Sequence, residues 1–303
     1  MNFSDIVLAD HYEYMIIAVD FIIAIAMLTA VGKVTGLVSN VKTVQELSVK
    51  DNFAFGISYA AAILAVGIML TGALSGDVTI SLLYEVGIVS AYGVLGIVLM
   101  TTTKRILDRV SLPKIAIQEQ ILKGNSAAGI VDAANMLATA IIVRAVMIWV
   151  DTESFSGLLM VLGGFVFSQI LMMLVTRYRL FVYASRHNGE NLQGAFEAGN
   201  IALALRYFGH NVGVALAVTA ASGIATYTEG QEIESAILWA GVSLGLTIGL
   251  SLLSILARHI ILWGINVVEE VDKQKNVGVG FIECMIYISN GVLMVALFGI
   301  SAS

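Results

Sequence analysis

Eight long apolar stretches constrain this chain more than any other feature of its sequence. A helix needs about 20 mostly apolar residues to cross the hydrocarbon core of a bilayer. Hydrophobic residues make up 58% of the chain and charged residues 13%, against about 25% charged in soluble domains. We therefore predict an all-α, polytopic membrane helical bundle with eight transmembrane helices. The predicted spans are residues 14–33, 52–74, 80–103, 125–150, 156–176, 195–222, 233–257 and 276–300.

The basic residues are distributed on one side of the predicted topology. Fourteen of the 16 Lys and Arg residues fall between an odd helix and the following even helix. The opposite loops and both terminal segments carry acidic residues and no basic ones. Because positively charged loops stay in the cytoplasm, we predict that both termini lie on the non-cytoplasmic side. The other two basic residues, Arg144 and Arg206, fall inside predicted helices.

A repeat with a period of about 75 residues organises the chain. One asparagine opens every even helix; four residues later comes glycine or alanine, and seven residues later tyrosine or an acid. Recurring polar positions at a fixed period indicate a repeated structural unit. We predict a two-helix unit repeated four times, and hence two parallel four-helix repeats at residues 1–152 and 153–303. The four asparagines are Asn52, Asn125, Asn200 and Asn276.

The residues after these asparagines resemble a known family. NFAFG starts at Asn52 and NSAAG at Asn125, while the looser NIALA and NVGVG start at Asn200 and Asn276. The pattern is similar to the YjfL-type bacterial inner-membrane family, a domain of unknown function whose typical member is a single four-helix unit. The resemblance covers nearly the whole chain as a tandem duplication. It implies a bacterial inner-membrane location and supplies no reaction or substrate.

The asparagine at the start of each even helix has two interpretations. Asparagine is a good N-cap, and capping satisfies backbone donors that lipid cannot satisfy. Four helix N-termini arranged as a ring would also attract an anion or a lipid head group. We favour capping together with hydrogen bonds between helices, and we keep anion binding as the alternative.

Ionisable and phenolic residues lie seven positions after the asparagines, at about 10 Å along each helix. If the repeats surround an axis, two acids and two phenols share one level of the membrane. Intramembrane acids must face protein, water or a cation, and Arg206 is the natural partner for one of them. The set predicts either an ion path or a buried polar network that fixes helix packing. Its members are Tyr59, Asp132, Tyr207, Glu283 and Arg206.

The remaining polar residues give weaker indications of function. Arg144 lies in the outer third of its predicted helix, at a depth similar to that of Asp20 and Glu85, so we predict an outer charge pair with either acid. A single cysteine and four scattered histidines predict no metal site, and we expect no cofactor. The sequence contains none of the familiar enzymatic motifs, so we predict no catalytic residue. The net charge of −6 argues against nucleic acid as a partner.

Two functional hypotheses remain. The first is a channel or transporter-like protein for a small ion, a proton or a monovalent cation, because acids recur at one depth beside Arg206. The second is a non-transporting scaffold or envelope-stress component that recruits protein partners, or anionic lipids, through its basic cytoplasmic loops. The lipid bilayer is a partner in both, and a homo-oligomer is compatible with both.

Overall fold

The computed structural model describes residues 11–38, 41–75, 82–150 and 155–299, and within these ranges the chain is helical with no strand. Eight of the described helices are long and apolar enough to cross a membrane. The protein is therefore an all-α bundle of two parallel four-helix repeats. The spanning helices are α1 (His11–Val38), α2 (Phe53–Ala73), α3 (Leu82–Ile106), α4 (Ser126–Trp149), α5 (Phe155–Arg186), α6 (Ile201–Ala221), α7 (Glu232–Ile261) and α8 (Val277–Phe298).

The odd helices are longer than the sequence predicts. Helix α5, for example, continues to Arg186 instead of ending near residue 176. Several basic residues predicted to lie in loops are consequently helical, which corrects the sequence interpretation. A helix can continue past its apolar stretch because long basic side chains reach toward polar surroundings while their backbone stays hydrogen-bonded. The residues concerned are Lys104, Arg105, Arg177, Arg179, Arg186 and Arg258.

Each even helix is preceded by a short helical segment and a sharp turn. The segments are Gln45–Val49 before α2, Leu107–Ser111 and Ile117–Leu122 before α4, Leu192–Glu197 before α6 and Glu269–Lys273 before α8. The turn places the residue just before each asparagine in the left-handed region, with φ between 49° and 85°. These residues are Asp51, Gly124, Gly199 and Lys275. We call the end of the bundle that carries these segments the basic end.

The even helices pack side by side in the order α2, α4, α6, α8. Helices α4 and α6 lie in the middle of the row. In their apolar stretches 83% and 78% of the residues are buried, against 50% and 33% in α2 and α8. Among the described residues, no comparable packing joins α8 back to α2. The even helices therefore form an open row with two free ends, and the expectation of four repeats around a common axis is wrong.

Glycine at the fourth position after the asparagine brings neighbouring helices into backbone contact. A methyl group on Gly129 of α4 would lie 2.6 Å from the carbonyl oxygen of Ala54 in α2. A methyl group on Gly280 of α8 would lie equally close to the carbonyl oxygen of Ala202 in α6. Small residues allow such approaches in membrane bundles, where helix association depends on close packing.

We expect Gly129→Leu to lower the free energy of unfolding by at least about 1–3 kcal/mol, the usual effect of overpacking. The leucine side chain would collide with the α2 backbone, which cannot rotate away as a side chain can. Unfolding in detergent micelles by titration with SDS would measure the change. Gly163→Leu is the matched control, because a methyl group there meets no atom within 4 Å. Equal stability of the two variants would contradict the close α2–α4 packing.

Candidate functional site

Two buried polar clusters lie where consecutive even helices meet within each half of the chain. The sixth residue after one asparagine faces the seventh residue after the next. Ser58 of α2 thus meets Asp132 of α4, and Arg206 of α6 meets Glu283 of α8. Both acids are buried, with 0% and 1% of their surface exposed. The repeat therefore builds one ionic site into each four-helix half.

The first cluster surrounds Asp132. Its Oδ2 atom accepts a hydrogen bond from Ser58 Oγ at 2.5 Å and lies 3.2 Å from Lys104 Nζ. Lys104 Nζ also donates to Ser58 Oγ at 2.9 Å. Gln118 Nε2, from the segment before α4, lies 3.5 Å from the other carboxylate oxygen. Lys104 comes from the last turn of α3, so three helices and a connecting segment hold this carboxylate.

The second cluster surrounds Arg206. Its Nε donates to Glu283 Oε2 at 2.5 Å, and its Nη1 donates to Asp272 Oδ1 at 2.6 Å. Arg258 Nη1 of α7 lies 3.4 Å from Glu283 Oε1. His187 Nε2 lies 3.4 Å from Asp272 Oδ2. One guanidinium thus bridges two carboxylates, and planar forked donors suit this arrangement.

The two clusters differ in the chemistry of their cations. A lysine ammonium can lose its proton inside a protein, whereas a guanidinium stays charged. The first cluster holds the ammonium of Lys104, whereas the second holds the guanidinium groups of Arg206 and Arg258. The duplicated sites have therefore diverged in the type of their cation.

The two tyrosines predicted to share the site lie elsewhere. Tyr207 Oη is 2.8 Å from Thr176 Oγ1 of α5, at the junction of the two halves. Tyr59 stacks against Phe55 on α2, with ring centroids 6.2 Å apart. The row arrangement separates these phenols from the acids. A single path running past Asp132, Glu283, Tyr59 and Tyr207 together is therefore not what the structure contains.

A further buried polar group joins α5 to two of the helices that carry the first cluster, α3 and α4. Gln169 Nε2 of α5 donates to Thr139 Oγ1 at 3.0 Å and reaches Thr103 Oγ1 at 3.3 Å. Thr139 follows Asp132 by seven residues, about 10 Å along α4, and Thr103 is adjacent to Lys104. The first half therefore has polar side chains at two successive depths.

The cavities beside the clusters are small. One of about 20 Å³ is lined by Lys104, Thr101 and Thr35. Another of about 40 Å³ is lined by Arg206 and Asp272 of the second cluster together with Arg179 of α5. About 10–15 Å³ of such space is enough for one water molecule. Each cluster therefore has room for one or a few waters, and neither cavity amounts to an open passage.

The four asparagines cap their own helices, and three of them also reach the next repeat. Each side-chain oxygen accepts from a backbone N–H in the first turn of its helix. The amide of Asn52 donates to the carbonyl oxygen of Ile121 at 3.0 Å, and Asn125 donates to that of Phe196 at 2.9 Å. Asn200 donates to that of Val271 at 3.2 Å. These side chains form a row at the basic end instead of the predicted ring, because the helices that they cap form a row.

Asn276 donates instead to Glu270 of its own connecting segment, at 2.8 Å. The equivalent acid in the first repeat is Glu46, which accepts from Asn52 at 3.1 Å and from Lys50 at 2.6 Å. The hydrogen bond from Lys50 lowers the pKa of Glu46. Glu46 is therefore ionised at neutral pH, in the form that accepts both hydrogen bonds.

The outer polar residues are only partly described. Arg144 Nε donates to Thr71 Oγ1 at 2.7 Å, which joins α4 to α2 far from the basic end. The side chain of Glu85 lies outside the described residues. The pairing of Arg144 with Asp20 or Glu85 stays a prediction.

Several members of the clusters lie in stretches that the hydropathy pattern predicts as loops. Lys104, Arg258 and Asp272 fall between the predicted spans, and Ser58 carries no charge that would mark it. The repeat itself could have identified Ser58, since it precedes Tyr59 as Arg206 precedes Tyr207. No comparable signal marks Lys104, because its position depends on how far α3 continues.

One family matches the chain three times, at residues 8–147, 81–222 and 153–298, under the description Domain of Unknown Function (DUF350). The chain belongs to the DUF350 family. Successive matches begin about one two-helix unit apart, which is consistent with the internal repeat of the chain. The matches do not bear on the resemblance to YjfL-type proteins, which stays a prediction. Neither the curated proteins nor the solved structures that were compared contain a match.

We expect Arg206→Met to destabilise this DUF350 protein by about 3–5 kcal/mol, because it leaves buried carboxylates without their main partner. The free energy of unfolding in detergent would measure the loss. Arg105→Met, at an exposed residue of α3, should change stability by less than about 0.5 kcal/mol. Adding Glu283→Gln to Arg206→Met should recover part of the loss. If Arg206→Met were as stable as Arg105→Met, the bridge would not contribute to folding.

Proposed function

We propose that this protein is a channel or transporter-like protein that moves a small ion, a proton or a monovalent cation, across the membrane. The exchange site is the first cluster, in which Asp132 binds Lys104 and Ser58. The proposal also places the protein in a bacterial inner membrane, with the basic end in the cytoplasm and both termini outside. The positive-inside rule supports this orientation.

The observation that carries the proposal is a buried lysine–carboxylate pair next to a water-sized cavity. An ionisable pair inside a membrane helix bundle is costly and commonly marks an ion pathway. A proton that reaches Asp132 Oδ2 removes the negative charge that holds Lys104. Lys104 can then release a proton of its own, so the pair passes through a neutral state and returns to the ionised one.

The polar group around Gln169 supports the direction of the path. Gln169 of α5 links Thr103, which is adjacent to Lys104 on α3, to Thr139, which lies about two turns beyond Asp132 on α4. Gln118 lies on the other side of Asp132, in the segment at the basic end. A path through the first half would run from Gln118 past Asp132 and Lys104 toward Thr139 and Gln169. Because the cavities hold only a few waters, ion movement requires proton transfer between groups or a change of conformation.

The second cluster, in the other half of the chain, can be compared directly with the first. Arg206 holds two carboxylates and cannot give up its proton, so this cluster resists both deprotonation and cation entry. We assign it a positioning role, in which it fixes α6 against α8. The permanently charged bridge would keep the row of helices rigid while the first cluster exchanges ions.

We expect Asp132→Asn to abolish ion flux in liposomes, because the amide can neither ionise nor take up a proton. Flux of protons is measured with an internal pH dye, and flux of Na⁺ or K⁺ with ion-sensitive dyes, under an imposed membrane potential. Glu283→Gln is the matched control and should retain flux, since Asp272 still binds Arg206.

Three outcomes would count against the proposal. Absence of flux above empty liposomes for the native protein would overturn ion transport itself. Unchanged flux in Asp132→Asn would overturn the site. Equal loss in both variants would overturn the assignment of exchange to the first half.

The exposed basic residues at the basic end favour a second candidate, a scaffold that recruits anionic lipids or protein partners. Arg105, Arg109 and Lys114 are exposed close to one another along the chain, where each could contribute about 1 kcal/mol to binding an anionic surface. If the protein is a scaffold, replacing all three with Gln should reduce retention of anionic lipid during purification and leave zwitterionic lipid unchanged. Equal retention of both lipids by the variant and the native protein would contradict this candidate.

A further inference from the structure

The ends of the helix row carry the two halves of one interface. Wherever two even helices meet, one face of the earlier helix contacts one face of the later helix. We call these the trailing face of the earlier helix and the leading face of the later one. On α6 the trailing face includes Ala202, Arg206, Gly209 and Gly213. It packs against the leading face of α8, which includes Gly280, Glu283, Cys284 and Tyr287. The same positions, counted from the asparagine, are buried between α2 and α4 and between α4 and α6, except that Phe208 of α6 is only partly buried.

No even helix precedes α2 to pack against its leading face, although α1 covers part of that face, with Gly32 of α1 lying against the Tyr59 hydroxyl. A methyl group on Gly56 would meet only the Leu47 side chain, at 3.8 Å, and one on Gly67 would meet nothing within 4 Å. Ala60, between them on the same face, is exposed. The equivalent glycines of α4 and α8, in contrast, touch the backbone of a neighbouring helix.

The trailing face of α8 is open in the same way. Its members Gly278 and Ser289 are exposed, and Ile282 and Met285 are 41% and 38% exposed. Asn276 is also exposed, whereas Asn52 and Asn200 are 8% and 1% exposed because the following repeat covers them. The fourth asparagine is therefore the one whose amide reaches no following repeat.

The backbone acceptors that Asn276 lacks are present at the other end of the row. Asn200 donates to the carbonyl oxygens of Val271 and Asp272, in the five-residue π-helical segment before α8. The segment before α2, Gln45–Val49, is also a five-residue π-helix at the same distance from its asparagine. Its equivalent residues are Leu47, which is partly exposed, and Ser48, which is exposed. They are buried in no repeat junction of this chain.

The side chains at the two ends also match the junction between the halves. At that junction the sixth and seventh positions are Val131 and Tyr207, an aliphatic residue and a phenol. At the free ends they are Ile282 and Tyr59, the same two chemical types. The two junctions inside the halves carry charges instead. A contact between the end of one chain and the start of another therefore continues the alternation of charged and neutral junctions.

We propose that a second copy of this chain docks head to tail, with the trailing face of α8 against the leading face of the partner's α2. Asn276 then caps its own helix and donates to the backbone of the partner's Gln45–Val49 segment. The two surfaces differ, so the interface is heterologous. Such contacts close into a ring when the rotation between subunits allows it and otherwise extend the row.

Cysteine cross-linking in native membranes tests the geometry. In the existing junctions, the eighth position of the later helix lies against the ninth of the earlier one, as Cys284 lies against Gly209. The corresponding residues of the free ends are Ala60 and Met285. In a Cys284→Ala background, Ala60→Cys and Met285→Cys chains should cross-link when co-expressed, and neither should cross-link alone.

Ile248→Cys, exposed on α7, replaces Met285→Cys as the control and should give no cross-link with Ala60→Cys. Absence of the mixed cross-link would overturn the proposal. Self-cross-linking of Ala60→Cys as strong as the mixed product would overturn it too, because that result requires a symmetric interface.

The oligomeric state gives an independent test through native mass spectrometry of the full chain in detergent. The native protein should be detected as an oligomer of two or more chains, whereas the Gly56→Leu variant should be monomeric. In the single chain a methyl group on Gly56 meets only the Leu47 side chain, at the ordinary contact distance of 3.8 Å, so this variant should still fold. Gly241→Leu, at an exposed glycine of α7 with nothing within 4 Å, should behave as the native protein. A monomeric native protein, or an unchanged oligomer in Gly56→Leu, would overturn head-to-tail docking.

Discussion

The asparagine at the start of each even helix is the interaction on which the rest of the structure depends. Lipid offers no hydrogen bonds, so every helix start near the membrane needs an internal partner for its backbone donors. The asparagine oxygen meets this need within its own helix. In the first three repeats its amide donates to a carbonyl oxygen of the next repeat's connecting segment, as Asn52 does to Ile121. One side chain thus satisfies backbone groups of two repeats and sets their relative height.

Fixing that height determines which side chains meet deeper in the bundle. With the asparagines aligned, the glycine four residues later lies against the preceding helix backbone, as Gly129 lies against Ala54. The following turn then brings position six of one helix to position seven of the next. Charged partners such as Arg206 and Glu283 meet there because the backbone contacts have already placed them. The ion pairs are therefore a consequence of the repeat geometry, and each half can vary their chemistry independently.

Much of this arrangement follows from sequence, and the exceptions have physical causes. The spans could be predicted because an apolar stretch of about 20 residues is seldom anything other than a transmembrane helix. The N-caps could be predicted because asparagine recurs at one position. Lys104 as the partner of Asp132 could not, because the end of α3 depends on tertiary contacts that let the helix run past its apolar stretch. The row could not be distinguished from a ring, because both satisfy the same local contacts and differ only in the angle between successive repeats.

The free ends of the row lie in lipid, which covers apolar faces differently from water. A soluble repeat protein must cover its terminal repeats with polar surface, but lipid can cover an apolar helix face at no cost. Exposed residues such as Ile282 therefore do not indicate a partner by themselves. Gly56 and Asn276 differ from such residues, since glycines equivalent to Gly56 touch a neighbouring helix backbone, and the other three asparagines donate to the next repeat, whereas Asn276 donates to its own connecting segment. The junction between the halves lacks a charge bridge, because its sixth and seventh positions are Val131 and Tyr207. The proposed contact between two chains is also a junction without charges at these positions. It would therefore use the same chemistry that joins the two halves within one chain.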